Sequence, residues 1–181
     1  MASKIKVDQL ETADGSGTIA LQNQLSGMTT ASLPTVTTDK LGTGAVLQVV
    51  QGTYSTQITS TSASFSDTNL SASITPSSSS SKIYVQVINP LGLWDGASNG
   101  AYGEVLLYRD STSLASAANL GQRFPATHFE MSRANINYLD SPSSTSSITY
   151  KTKFATSTVG AQVASCYGSN TASITLIEIA G

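Results

Sequence analysis

Cysteine, histidine and tryptophan each occur once, and charged side chains make up only 11% of the 181 residues, against a usual ~25%. A single thiol, Cys166, permits no internal disulfide. One histidine, His128, and one cysteine are too few soft donors for a structural zinc centre, and the carboxylates never cluster in a calcium-loop spacing. No window nears the ~18 apolar residues that a membrane helix requires. The start, MASKIKVDQLE, sets no apolar segment of ~7–15 residues behind its lysines, so it does not read as a secretory signal. The expectation is synthesis in the cytoplasm with no membrane insertion. Lys and Arg number 9 against 11 Asp and Glu, a net charge of -2, with no basic cluster, which excludes the electrostatic footprint of a nucleic-acid binder. Gly15-Ser16-Gly17 has neither the leading strand nor the following Lys-Ser or Lys-Thr helix of a phosphate loop. No cofactor is expected.

Hydroxyls fill the gap that charge leaves: 53 residues are Ser or Thr. Such a composition suits strands and turns, because exposed helices are normally written with Glu, Lys and Ala. Residues 1–44 differ from the rest. Ile5, Val7, Leu10, Ile19, Leu21 and Leu25 are sparse and flank the turn-like Asp14–Gly17, which reads as two short strands that cannot bury a core alone. Residues 28–44, rich in Thr with Pro34 and two glycines, read as an extended linker. The fold class is therefore all-β, with an N-terminal extended arm and linker (1–44) that needs a partner, followed by a jelly-roll-like β-sandwich (45–181).

Within the sandwich, strands are predicted over 45–54, 55–60, 63–75, 82–91, 102–109, 135–139, 146–156, 161–167 and 172–179, and a short helical turn within 111–124. Leu70, Ala72 and Ile74 alternate with hydroxyls up to Pro76, which stops the strand; the serines that follow make a turn ending at Lys82. Some strands are greasy on both faces. Ile174 and Leu176 oppose Ile177 and Ile179, and Val105 and Leu107 oppose Leu106 and Tyr108. A sheet with one wet face does not spend apolar residues on both sides, so either a loop or further copies of the chain cover the second faces; with the arm, this favours a homo-oligomer.

Catalytic machinery is not apparent. His128 and Cys166 lack supporting partners, and the carboxylates Asp67, Asp95, Glu104, Asp110, Glu130, Asp140 and Glu178 sit mostly in turn-like contexts, so the chain is expected not to be an enzyme. Two segments read as recognition loops. Residues 89–104 carry Trp94, Asp95, Asn99 and Tyr102, and residues 122–140 carry Arg123, His128, Arg133 and Tyr138. Aromatic rings stack on sugar faces while amides, acids and guanidinium groups bond hydroxyls, so these eight residues are the candidate ligand-binding set. The structural alternative has Trp94 closing the end of the barrel.

The segment LSASITPSSSSSKIYVQV, an alternating strand ending in Ile-Thr-Pro, a serine run and a second alternating strand, resembles a signature of tailed-bacteriophage virion proteins, especially tail-fibre-like proteins of marine and cyanobacterial phages. The start SKIKVDQLETADGSGTIAL and the terminal SITLIEIAG are similar to the first strip and last strand of such proteins. The resemblance covers about a quarter of the chain. It implies a homotrimeric virion appendage or decoration protein, joined to other virion proteins through residues 1–44, with a sandwich displayed outward; with cytoplasmic synthesis and the two recognition loops, the expectation is a tail-fibre-like appendage made in the host cytoplasm that binds a host cell-surface polysaccharide. A capsid decoration or head-fibre protein without receptor binding is the alternative, and a small glycan-degrading enzyme acting through Glu104 or Glu130 is a third reading.

Overall fold

Alternation of apolar and hydroxyl side chains governs the computed structural model, which describes residues 41–95, 102–121, 128–156 and 161–181, all within the unit Thr37–Gly181. The strands, turn and most of the linker expected over 1–40 lie outside the described residues. Among the described residues the strands are β1 (Val46–Tyr54), β2 (Ile58–Ser60), β3 (Ser66–Ile74), β4 (Lys82–Asp95), β5 (Gly103–Arg109), β6 (Thr112–Leu120), β7 (His128–Asp140), β8 (Ile148–Thr156), β9 (Ala161–Ser165) and β10 (Ala172–Ile179). Among the described residues one 3₁₀ turn, Tyr167–Ser169, follows β9. No described helix is long and apolar enough to cross a membrane.

Two antiparallel sheets face each other as a sandwich. The four-stranded sheet runs β3-β8-β5-β6. The six-stranded sheet is organised by β4, whose one edge pairs with β7 from Ile83 to Asp95. Its other edge forks: Lys82 to Ile88 pair with β10, and Leu91 to Asp95 pair with β9. Beyond these lie β1, beside β10, and β2, beside β9. Ile83, Val85, Val87, Leu91 and Leu93 of β4 point inward and meet Leu70 and Ile74 of β3, Val105 and Leu107 of β5, and Tyr150 and Phe154 of β8, all fully or nearly fully buried. At roughly 1.5–3 kcal/mol for each large apolar side chain removed from water, this layer is the main source of stability.

The fork is a place where backbone groups would be orphaned, and side chains fill it. Asn89, fully buried between the β10 and β9 segments, donates from Nδ2 to Ser165 Oγ at 2.9 Å and accepts the Cys166 N–H on Oδ1 at 3.3 Å. Pro90, which has no N–H to give, sits beside it in the same gap. The expected end of this strand at residue 91 is therefore displaced to Asp95, with Asn-Pro-Leu-Gly held as strand by the fork. Likewise β7 begins at His128, seven residues earlier than the expected 135.

Of the stretch 111–124, in which a helical turn is expected, Thr112–Leu120 is a strand, β6, and 122–124 lie outside the described residues. Leu107 pairs with Ala115 and Tyr108 with Ser113, leaving Leu114 as an extra residue; a second shift lies between the Val105–Ala117 and Gly103–Leu120 pairs. These two bulges break the period-2 pattern so that Leu114, Ala115, Ala117 and Leu120 all pack toward the core. Hydrogen bonding to β5 overrides the helical propensity of the alanines.

The serine block does more than turn. The Ser77 N–H donates to Glu178 Oε1 at 2.6 Å, and Gln48 Nε2 donates to Glu178 Oε2 at 2.5 Å, so the β3–β4 turn and β1 both hold the end of β10. Burial by itself would raise the Glu178 carboxyl, but the bonds from Gln48 and Ser77 outweigh it and hold the group below its ordinary value. A second buried acid joins the two sheets. Asp140 of β7 accepts Arg109 Nη1 of β5 on both oxygens at 2.8 Å and the Tyr150 hydroxyl of β8 at 2.6 Å. Burial, and then the bond to the Asp140 carboxylate, push the Tyr150 phenol far above its ordinary range, so it remains a donor.

Candidate functional site

The outward face of the six-stranded sheet changes character beyond the fork. Strand β9 ends at Ser165, and Cys166 turns into left-handed backbone, φ 54°. Gly168 at φ 67° and Ser169 at φ 60° follow it there. Left-handed backbone at two non-glycine residues costs free energy that the surroundings must hold in place. Three hydrogen bonds do so: Ser169 N–H to the Cys166 carbonyl at 3.0 Å, Gly168 N–H to Gln57 Oε1 at 2.9 Å, and Asn170 Nδ2 to the Tyr167 carbonyl at 2.7 Å. The result is that Tyr167 folds back over β4.

Gly92 is what receives it. A Cβ at that position would lie 2.6 and 2.7 Å from two carbons of the Tyr167 ring, so only hydrogen leaves room. Tyr167 then meets Trp94 edge-on with centroids 5.3 Å apart, and Phe129 at 4.9 Å; Trp94 and Phe129, directly opposite in the β4–β7 ladder, lie 5.0 Å apart. These separations are those of favourable aromatic pairs. Beside the trio a groove of about 520 Å³ opens, with Pro90, Leu91, Met131 and Tyr167 as its apolar lining and Ser132, Arg133 and Asn170 as its polar groups. Met131 is 68% exposed. An apolar floor with a few donors at the rim suits a flat, hydroxyl-rich ligand ring.

Of the residues expected to bind, the fold brings Trp94 and Arg133 to this one outward face, on the paired strands β4 and β7. Asp95 and His128 stand opposite each other as the last pair of that ladder. Tyr102 is half-buried just before β5, and its carbonyl accepts the Thr156 hydroxyl at 3.3 Å. Tyr138 faces inward and packs on the core, apart from the groove. Asn99 and Arg123 lie outside the described residues. The alternative role for Trp94, closing the barrel end, is not its position: it stands on the outer sheet face, between Phe129 and Tyr167. Tyr167, Met131 and Asn170 were not among the expected residues. The available signal was Cys-Tyr-Gly-Ser directly after a strand, a sequence of turn residues carrying an aromatic ring.

Glu104 and Glu130 do not converge. Glu104 lies between the inward-facing Gly103 and Val105 and so points outward from the four-stranded sheet, whereas Glu130 shares the inward side of β7 with Ala134 and Ile136. Among the described residues no group of three or more His, Cys, Asp or Glu side chains is placed to hold a metal ion.

Neither a family model nor a curated protein matches the sequence. Among solved structures, the chain is similar to one in the infectious bursal disease virus Gt strain, at 15% identity over 82% of this chain and 43% of that one, with a TM-score of 0.37. It is also similar to the infectious bursal disease virus VP2 subviral particle, at 14% identity over 81% and 46%, TM-score 0.33, and to T=1 particles derived from the same virus, at 16% over 82% and 41%, TM-score 0.34. The chain spans less than half the length of these chains.

Proposed function

We propose that the chain is a non-enzymatic virion structural protein: a trimeric, tail-fibre-like bacteriophage appendage whose arm, 1–44, joins other virion proteins and whose sandwich presents the Arg133–Tyr167 groove to a host surface polysaccharide. The virion role rests on the likeness of its strand–serine–strand signature and its terminal strips to such proteins. The observation that carries the binding role is the convergence of the aromatic trio with a groove rimmed by Arg133, Ser132 and Asn170. Tyr167 supplies a ring for stacking on a sugar face, and Arg133 supplies donors for hydroxyl or carboxylate oxygens. Several sandwiches on one appendage would raise weak single-site affinity through multivalency.

Trp94, the sole tryptophan, reports on this site. Titrating the full-length protein with a panel of neutral and uronic-acid-containing bacterial polysaccharides is expected to give a saturable fluorescence change with at least one of them, weakened about tenfold or more by Arg133→Ala. No response across the panel, or a response indifferent to Arg133, would count against the groove. The second reading, a decoration or head-fibre protein without a receptor, is favoured by the way the trio satisfies itself: its rings pack on one another and lock the Tyr167 turn onto Gly92. On that reading Arg133→Ala leaves adsorption of the particle unchanged. A glycan-degrading activity would require release of sugar fragments by purified protein and its loss in Glu104→Gln or Glu130→Gln; the opposed directions of the two carboxylates weigh against it.

A further inference from the structure

At the other end of the six-stranded sheet, the registers align side chains into rows across four strands. Val49 stands opposite Ile177, Ile177 opposite Tyr84, and Tyr84 opposite Leu139, with Val46 opposite Ile179 one row out. Val46 and Val49 are each 58% exposed and Leu139 50%. The adjoining row is Gln51, Thr175, Gln86 and Asn137, already partnered in the plane of the sheet: Gln51 Nε2 donates to Thr175 Oγ1 at 3.1 Å and the Tyr84 hydroxyl to Asn137 Oδ1 at 3.0 Å. None of these side chains carries a formal charge; Lys82, opposite Ile179, is the first that does. An outward face normally left to water mixes polar with charged groups, whereas this one pairs an uncharged polar row with a row that is apolar but for the Tyr84 hydroxyl.

Two features decide what covers it. The face is neutral, so it offers nothing to an anionic nucleic acid or lipid surface, yet a copy of itself meets no like charge there. The 40 residues that precede the described chain enter at Leu41 and reach β1 at Val46, a corner of this same patch. Their sparse apolar residues, Ile5 to Leu25, are too few to form a core in one copy. We propose that the outward face centred on the Val49–Ile177–Tyr84–Leu139 row packs against a second copy of this chain. The inference rests on the self-assembling reading above and names its surface.

Sedimentation equilibrium of the full-length protein tests it, using Val49→Glu and Leu139→Glu, both at exposed positions, with Ser116→Glu on the outward face of the other sheet as control. The wild type and the control are expected to associate, and the two face variants to do so about 100-fold more weakly or worse with unchanged circular dichroism. An associating wild type whose mass the face variants retain overturns this inference and leaves self-assembly standing; a monomeric wild type overturns both. A monomer whose N-terminal lysines become sensitive to trypsin only in Val49→Glu also overturns it, because the chain's own arm would then be the cover.

Discussion

Replacing Gly92 by alanine tests how the groove is built. The new Cβ falls 2.6–2.7 Å from the Tyr167 ring and 3.0 Å from Trp94, and the ring atoms it meets are those nearest the Tyr167 backbone, not a free tip. Two responses are open to the molecule. If the ring stays, overpacking costs about 1–3 kcal/mol; if it swings away, it forfeits its contacts with Trp94 and Phe129, about 0.5–1.5 kcal/mol each. Alanine returns roughly 0.4–1 kcal/mol by restricting the unfolded chain. The net loss is about 1–2 kcal/mol, which for a domain of this size lowers the melting temperature by about 3–8 °C. Urea unfolding followed by Trp94 fluorescence measures both the midpoint and the native emission, which should change as the trio parts. A double-mutant cycle with Tyr167→Ala sharpens the test. Once the ring is gone Gly92→Ala has little left to disturb, so the two losses should fall short of additive by about 1 kcal/mol. Full additivity, or a Gly92→Ala variant with wild-type midpoint and emission, would refute the packing argument.

Asp140→Ala strands the buried Tyr150 hydroxyl and the Arg109 guanidinium, whose side chain keeps 26% of its surface exposed, so a loss of about 2–4 kcal/mol is expected by urea unfolding. A loss under about 1 kcal/mol would mean that the two sheets are not joined through this acid. Glu178 has a folded-state value below its unfolded one, so its stabilisation is present above the unfolded value, near 4.5, and is lost as the pH falls through the lower folded value. Glu178→Gln should therefore be less stable than wild type at pH 7, by about 1–2 kcal/mol, with the gap closing as both are titrated below pH ~4. A gap independent of pH would show that charge at Glu178 is not what binds the serine block to β10.

Strand existence was legible wherever alternation was unbroken: 172–179 matches β10, and 148–154 alternates as expected because β8 lies centrally between β3 and β5. Legibility failed where one residue acts through a distant partner. Leu114 looks out of phase until its bulge against β5 is seen. Asn89-Pro90 looks like a turn until the fork supplies its reason, and Gly92 like a loop residue until Tyr167 covers it. The site was half legible for the same cause. Trp94 and Arg133 stand out by type, but Tyr138 differs from Arg133 only in strand parity, which sends it inward. Met131 and Tyr167 reach the groove through pairing and turn geometry that no local pattern announces. The doubly greasy strands were read correctly as having two apolar faces: Ile174 and Leu176 are buried, while Ile177 and Ile179 remain half-exposed on the outside.

Those outer side chains make the solution mass of the full-length wild-type protein, measured by light scattering across a hundredfold range of concentration, the most direct trial of the account. A particle of about 56 kDa, three times the 18.7 kDa chain and stable to dilution, is what a trimeric appendage requires. A single chain of 18.7 kDa at every concentration would contradict it, because no sister copy would then cover the Val49–Leu139 row.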